Sequence, residues 1–302
     1  MNNTVIIHTD RYRNWVFDPD HPTQGRRFIN GFNAITDNHP DITVIPPRAA
    51  TRAELSTVHT ATYLSQVQHS WVCGEWAGTR PDMAALASLF VGGTLVALDQ
   101  LMSGEATTAI HLPGAKHHAQ ADRSSGFCVF ADFAIAAHLA RRAGRRVAIL
   151  DIDAHHGDGT ENLTYDDPGI LTFSVHEDGI FPGTGYDDDP EQSVWNVPLG
   201  EESGDEWLTW AVERFISKAA DHDADLIFVA AGADGHETDP LSSLRYTLDG
   251  FHNAMRGLRL AFSRTPILMG GAGGYQPDSF TPLAWASSAE GLMVLDSAKA
   301  PH

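Results

Sequence analysis

The chain has 302 residues, 42% of them hydrophobic, enough for one large α/β domain or two smaller ones around a sizeable core. Its formal charge of −19 argues against nucleic acid as a bulk partner, because phosphate binding needs a basic surface. The charge permits cationic substrates such as polyamines or Lys-rich peptides, and a solubilising surface explains it equally well.

Cys73 and Cys128 give neither a disulfide framework nor a cysteine-based zinc cluster, and Cys128 reads as a small buried hydrophobe. The basic residues include few lysines (Lys116, Lys218, Lys299), a bias with no function attached. The stretch Met1 to His8 lacks the basic region and long apolar segment of a signal peptide. No stretch is expected to approach a membrane span. The expectation is a cytoplasmic protein with no membrane partner.

In chain order, Val5 to His8 predicts a strand, Gly25 to Asp37 a helix, and Ile42 to Ile45 a strand before Pro46-Pro47. Thr51 to His59 and Tyr63 to Trp71 read as short helices, the first opening on Thr51 and Glu54 in capping-box spacing. Trp71 to Asp82 is loop-like, and Asp82 is expected to cap a long helix with an apolar stripe from Leu86 to Leu101. Thr107 to Leu112 is a strand, broken by Pro113-Gly114 just before His117-His118, and Phe127 to Arg142 a helix. Strand 146–153 follows, then a short helix from Thr160 to Leu163 and strands Ile170 to Val175 and Trp195 to Leu199. Trp207 to Ala220 is a helix, Leu226 to Ala231 a strand running into Asp234, and Tyr246 to Phe262 a helix. Ile267 to Met269 is a strand stopped by a glycine-rich turn and Tyr275, and Leu292 to Leu295 is a last apolar piece. Strands alternating with helices indicate an α/β fold: an open, doubly wound parallel sheet with helices on both faces, as a single domain over 1–302.

The stretch Val147 to Gly159 concentrates the chemistry. An apolar run of strand length empties into Asp151, Asp153, His155, His156 and Asp158, as a buried parallel strand does where it meets a site. Side chains alternate along a strand, so Asp151, Asp153 and His155 point the same way if the extended backbone persists. Two carboxylates beside one imidazole in an apolar surround call for a cation, and a divalent metal answers that need. The alternative is an Asp- and Gly-rich loop that merely ends the strand and caps the next helix. Other strands also finish in chemistry: Thr107–Leu112 leads to His117-His118, Leu226–Ala231 to Asp234, and Ile267–Met269 to Tyr275. In an open α/β sheet, ligands bind outside the carboxyl ends of the strands, so these residues can converge.

Together these stretches resemble the zinc-dependent histone deacetylases and their bacterial relatives, including acetylpolyamine amidohydrolases, of the arginase/deacetylase fold. The resemblance rests on Pro113-Gly114 with His117-His118-Ala119, Ser125-Gly126-Phe127-Cys128, Asp151 to Thr160, and Ser174-Val175-His176. It continues in Phe181 to Gly185, Gly232-Ala233-Asp234 with Asp239-Pro240-Leu241, and Gly270 to Tyr275, with weaker matches at His21-Pro22, Arg27 and His59 to Leu64. These occur in family order over nearly the whole chain.

The resemblance implies that Asp153, His155 and Asp234 hold one zinc ion, with open positions for water and substrate. It makes His118 the general base, supported by Asp158, and puts His117, paired with Asp151, on the leaving-amine side. Tyr275 would donate its hydroxyl to the acyl oxygen, and the glycines before it, Gly273 among them, would let backbone approach the substrate. Phe127 and Phe181 resemble the walls of the acyl-amine tunnel, and Leu241 its rim. A structural potassium is implied at Asp151, Asp153, His155, Ser174 and Val175. His156, His176 and Arg27 read as structural.

Departures bear on the substrate. The family's usual Asn is Ala131 here, followed by Asp132, which has no assigned role. Gln276-Pro277 after Tyr275 differs from the best-known eukaryotic members. The short 71–82 loop shows no clear acid for anchoring a peptide backbone, though Glu75 or Asp82 is a candidate, which counts against histone-like substrates. His236 and Glu237 either face the tunnel mouth or are solvated. The expected activity is zinc-dependent hydrolysis of an acetylated or short-chain-acylated primary amine: acetyl-lysine, an acetylpolyamine or a related metabolite. A homo-oligomer is compatible with it. The competing readings are a di-manganese ureohydrolase of the same fold and a catalytically silent acyl-ligand-binding protein.

Overall fold

The computed structural model describes residues 3–294. The chain begins with β1 (Thr4–Ile7), α1 (Arg26–Asn38), β2 (Thr43–Ile45), α2 (Arg52–Leu55), α3 (Ala61–Gln68) and α4 (Pro81–Met102). It continues through β3 (Thr108–His111), α5 (Asp132–Arg142), β4 (Val147–Asp151), α6 (Asp158–Thr164), β5 (Ile170–Glu177) and β6 (Val194–Leu199). It closes with α7 (Asp205–Asp221), β7 (Leu226–Ala230), α8 (Leu248–Ala261), β8 (Ile267–Gly270) and α9 (Phe280–Met293).

The strands form one eight-stranded parallel sheet in the order β2-β1-β3-β8-β7-β4-β5-β6. Helices α3 to α6 pack in series and α7, α8, α9 and α1 in another, and both series meet the sheet, one on each face. Central strands are therefore covered on both sides. Every residue of β3, β4, β5, β7 and β8 is buried, which is why they read as continuous apolar runs rather than alternating ones. At the edge, β2 is short and leaves Val44 exposed.

Register positions the site. His111 pairs with Gly270, Gly270 with Ala230, Ala230 with Asp151, and Asp151 with Ser174. One level row across five strands thus marks where each chain segment leaves the sheet, and His117-His118, Tyr275, Asp234 and Asp153 all follow on that side.

Several sequence expectations need correction. Helix α4 starts at Pro81 with Arg80 as its cap, so Asp82 lies inside the first turn and pairs with Arg80 at 2.7 Å. Its apolar residues go almost all the way round, and an 18-residue window reaches a mean hydropathy of 1.6, enough by length and composition for a membrane span. Of that window 72% is buried inside the fold, the signature of a core helix. Helix α5 begins at Asp132 rather than Phe127, because Gly126 and Phe127 both take left-handed backbone (φ 53° and 65°) and form a tight turn. Helix α9 has no counterpart among the sequence expectations: wedged between α1 and α8, it is buried over most of its surface, and its exposed residue is the apolar Leu283, so no polar stripe gives it a helical period. Leu292, expected in an apolar piece reaching Leu295, belongs to α9, and Leu295 lies outside the described residues.

Candidate metal centre and active site

Just past the ends of β4 and β7, Asp153, His155 and Asp234 bring one ligand atom each to within 4.8 Å of the others, all three buried. The His155 Nδ1 lies 3.1 Å from Asp153 Oδ1 and 3.0 Å from Asp234 Oδ2. Backbone N–H groups aim the carboxylates: Gly273 donates to Asp153 Oδ2 at 2.6 Å, and Ala154 to Asp234 Oδ1 at 3.0 Å. A Cβ on Gly273 would lie 2.2 Å from Asp234 Oδ2, so only glycine lets that backbone approach. Gly273, expected at the substrate, here supports two of the candidate metal ligands.

Burial opposes charge on both carboxylates. For Asp153 the His117 and His155 rings overcome it and hold the acid well below its usual range. Asp234, buried with Asp153 beside it, is pushed up to about 7. Against its own burial, His155 is raised to about 11 by the two carboxylates it bonds. Two carboxylates and an imidazole gathered in a dry site form a donor set for a divalent cation, and the oxygen–nitrogen chemistry fits zinc.

Beside this cluster stand two His–Asp pairs. His117 Nδ1 donates to Asp151 Oδ2 and His118 Nδ1 to Asp158 Oδ1, each at 2.7 Å, which leaves both Nε2 atoms facing inward. Asp158 also accepts from Gln120 at 2.9 Å. Burial lowers His118 to about 4, helped by the charge on His117. Burial acts on His117 too, but Asp151 and Asp153 raise it to about 9.

A pocket of about 430 Å³ opens onto these groups, lined by His118, Gly126, Phe127, His155, Ile180, Phe181, Leu241 and Tyr275. Phe181 stands edge-on to His118 at 4.9 Å, and Phe127 edge-on to Tyr275 at 5.9 Å. Phe181 and Leu241 are exposed at the mouth, as walls and rim of an open channel must be. Behind Tyr275 a water-sized void of about 10 Å³ is lined by Arg27, Lys116, Gly273 and neighbours.

The expected site residues therefore meet, with Ser174 and Val175 one strand away beside Asp151. Arg27, His156 and His176 are bonded internally, Arg27 to the Gly274 carbonyl at 2.6 Å, as structural residues should be. His236 is buried against Phe280 and bonded to Thr238 rather than turned to the mouth, while Glu237 is exposed.

Three acids named in the sequence, Glu75, Asp132 and Asp239, have supporting roles that sequence reasoning missed. Asp132 accepts the N–H groups of Ala115 and Lys116 at 3.0 and 2.7 Å, fixing the turn that delivers His117-His118. Asp239 accepts the N–H of Tyr275 at 2.8 Å and that of Leu241 at 3.0 Å, tying the tyrosine to the rim. Glu75 accepts the Phe127 N–H at 3.0 Å. Left-handed backbone at a non-glycine residue costs roughly 1–2 kcal/mol. A hydrogen bond to a carboxylate sheltered from water contributes about 1.5–3 kcal/mol, enough to hold it.

A histone deacetylase domain model matches residues 18–292. The acetoin utilization protein AcuC of Bacillus subtilis (strain 168) is 33% identical over 313 residues, covering 95% of this chain and 81% of that protein. AcuC of Staphylococcus aureus (strain MRSA252) is 31% identical, covering 95% and 80%. Among solved structures, the HDA15 HD domain superposes with a TM-score of 0.86 at 22% identity over 97% of this chain and 90% of that one, a likeness of fold.

Proposed function

The chain belongs to the histone deacetylase family, and from that premise we propose that it hydrolyses the amide of an acetylated or short-chain-acylated primary amine, using one zinc ion. The observation that carries this reading is the meeting of Asp153, His155 and Asp234 at the floor of a channel walled by Phe127 and Phe181, with two His–Asp pairs alongside.

Zinc held by Asp153, His155 and Asp234 would supply Lewis acidity, acidifying a water and polarising the acyl oxygen. The chain's own groups do the rest. His118 offers a free Nε2 to the proton of the attacking water, its Nδ1–H fixed by Asp158. His117, backed by Asp151, presents Nε2 on the leaving side, to supply positive charge and the proton the departing amine needs. The Tyr275 hydroxyl donates to the acyl oxygen as negative charge develops there. Phe127, Phe181 and Leu241 grip the alkyl stem of the amine and exclude water. A potassium ion at Asp151, Asp153, His155, Ser174 and Val175 belongs to the same reading, with Asp151 and Ser174 held side by side by strand register.

The test is a screen of acetyl-lysine peptides, acetylpolyamines and longer acyl amines against the zinc-loaded protein. Turnover that disappears in Tyr275→Phe and His118→Ala supports the proposal. Tight binding of acylated ligands with no turnover would make the protein a silent binder instead.

A further inference from the structure

Glu75 sits in the loop between α3 and α4, and the Phe127 N–H donates to its Oε2 at 3.0 Å. That N–H belongs to the second of two successive left-handed residues, Gly126 and Phe127. The flanking Ser125 and Cys128 exchange both their backbone hydrogen bonds, at 3.1 and 2.8 Å, as in a two-residue hairpin turn. Those bonds use the Ser125 and Cys128 groups and leave the Phe127 N–H to Glu75. Gly126, between them, is pressed against the base: a Cβ there would come within 2.3 Å of His118 Cδ2.

The turn delivers the Phe127 ring, which stands edge-on to His21 at 4.5 Å and to Tyr275 at 5.9 Å and lines the pocket. This hydrogen bond ties the 71–82 loop to a wall of the channel. We propose that Glu75 is a positioning residue: its carboxylate fixes the left-handed Phe127 turn, and so sets the width of the channel and the ring packed against Tyr275. The acid itself does not line the pocket.

This inference rests on the acyl-amine reading above and narrows its substrate class. The other acid of the loop, Asp82, is held by Arg80 at 2.7 Å. Glu75 is committed to the Phe127 N–H, and Asp82, in the first turn of α4, is paired at the surface with Arg80, so each acid of this segment already has a partner other than a peptide backbone. Recognition then runs along the alkyl stem, between apolar walls, and favours a slender acylated amine over a backbone-anchored peptide.

Three variants of the full chain test it. Glu75→Ala removes the acceptor, Glu75→Asp withdraws it by one methylene while keeping the charge, and Glu75→Gln keeps an acceptor oxygen without the charge. We expect Ala and Asp to raise KM for acylated amines about tenfold or more with kcat within about threefold, and Gln to stay within about threefold of the parent in both. Amide exchange over residues 125–128, read without any substrate, should quicken about tenfold or more in Ala and Asp and stay near the parent in Gln. The exchange readout stands even if no acyl amine is turned over, so failure of the activity reading and failure of this one are told apart. Unchanged exchange in Ala and Asp overturns the proposal. So does a Gln variant as impaired in KM as Ala beside a normal Asp variant, since charge at the substrate would then be what matters. If Ala does not fold, the Asp and Gln variants alone separate the same outcomes.

Discussion

His117 and His118 are adjacent in sequence, both buried, with ring centroids 4.0 Å apart and each Nδ1 2.7 Å from a carboxylate, yet they settle in opposite states. Burial pushes both toward the neutral form. His118 has Asp158, which is shared with Gln120, and feels the charge of His117, so it stays low. His117 has Asp151 at bonding distance and Asp153 at 3.8 Å, and is raised. The number and closeness of carboxylates, rather than anything in the dipeptide itself, separates the two rings, and the proposed roles of proton acceptor for His118 and proton donor for His117 follow that split.

The largest way to break this comparison is at the cluster both rings face. Replacing Asp234 with Asn should reduce zinc occupancy and bring turnover of an acetyl-lysine substrate to background, measured by metal analysis beside the assay. Next comes the base: His118→Ala should lower kcat by roughly 10²–10⁴ with zinc content unchanged. Asp158→Asn, which only disturbs the ring's tautomer and aim, should cost about 10–100-fold.

The difference between the rings also sets a pH response. Because His118 is lowered to about 4, the acid limb of kcat/KM should fall below the ordinary histidine value of 6.5, and an acid limb at or above 6.5 would contradict its assignment. A quieter effect concerns stability. Burial lowers His111 to about 3 and His59 to about 4, both away from the metal ligands. Thr94 donates to Asp132, so His111 Nδ1–H donates to Thr94 and its Nε2 accepts from Tyr12, a network that wants the neutral ring. Between pH 6.5 and these folded values the unfolded chain binds more protons, so stability is present above 6.5 and drains as pH falls toward 4. Tm measured from pH 7 to 5 should drop, and His111→Gln should lessen the slope while lowering Tm at pH 7 by a few degrees, on the order of 1–2 kcal/mol.

The ligands and both histidines were legible because strand ends in a parallel sheet are predictable places and their residue types are rare together: Asp153, His155 and Asp234 stand out against Val, Ile and Leu. Glu75, Asp132 and Asp239 were not. Each acts on backbone N–H groups, which carry no residue signature, and each reaches at least one of them across 16 to 52 positions of sequence. For the same reason the start of α5 was misplaced: Phe127 looks like the first residue of an apolar helix until Glu75 and the Ser125–Cys128 pairing hold it left-handed. Helix α9 is hidden because most of it is buried and its exposed position is Leu283, so polarity shows no helical period.

One titration tests the central claim most directly: metal-free protein is titrated with zinc while hydrolysis of a fluorogenic acetyl-lysine substrate is followed. The account predicts activity that rises linearly and saturates at about one zinc per chain, with the Asp234→Asn protein flat throughout. Activity that requires about two manganese ions per chain, or zinc that binds without any hydrolysis of acylated amines, would contradict it.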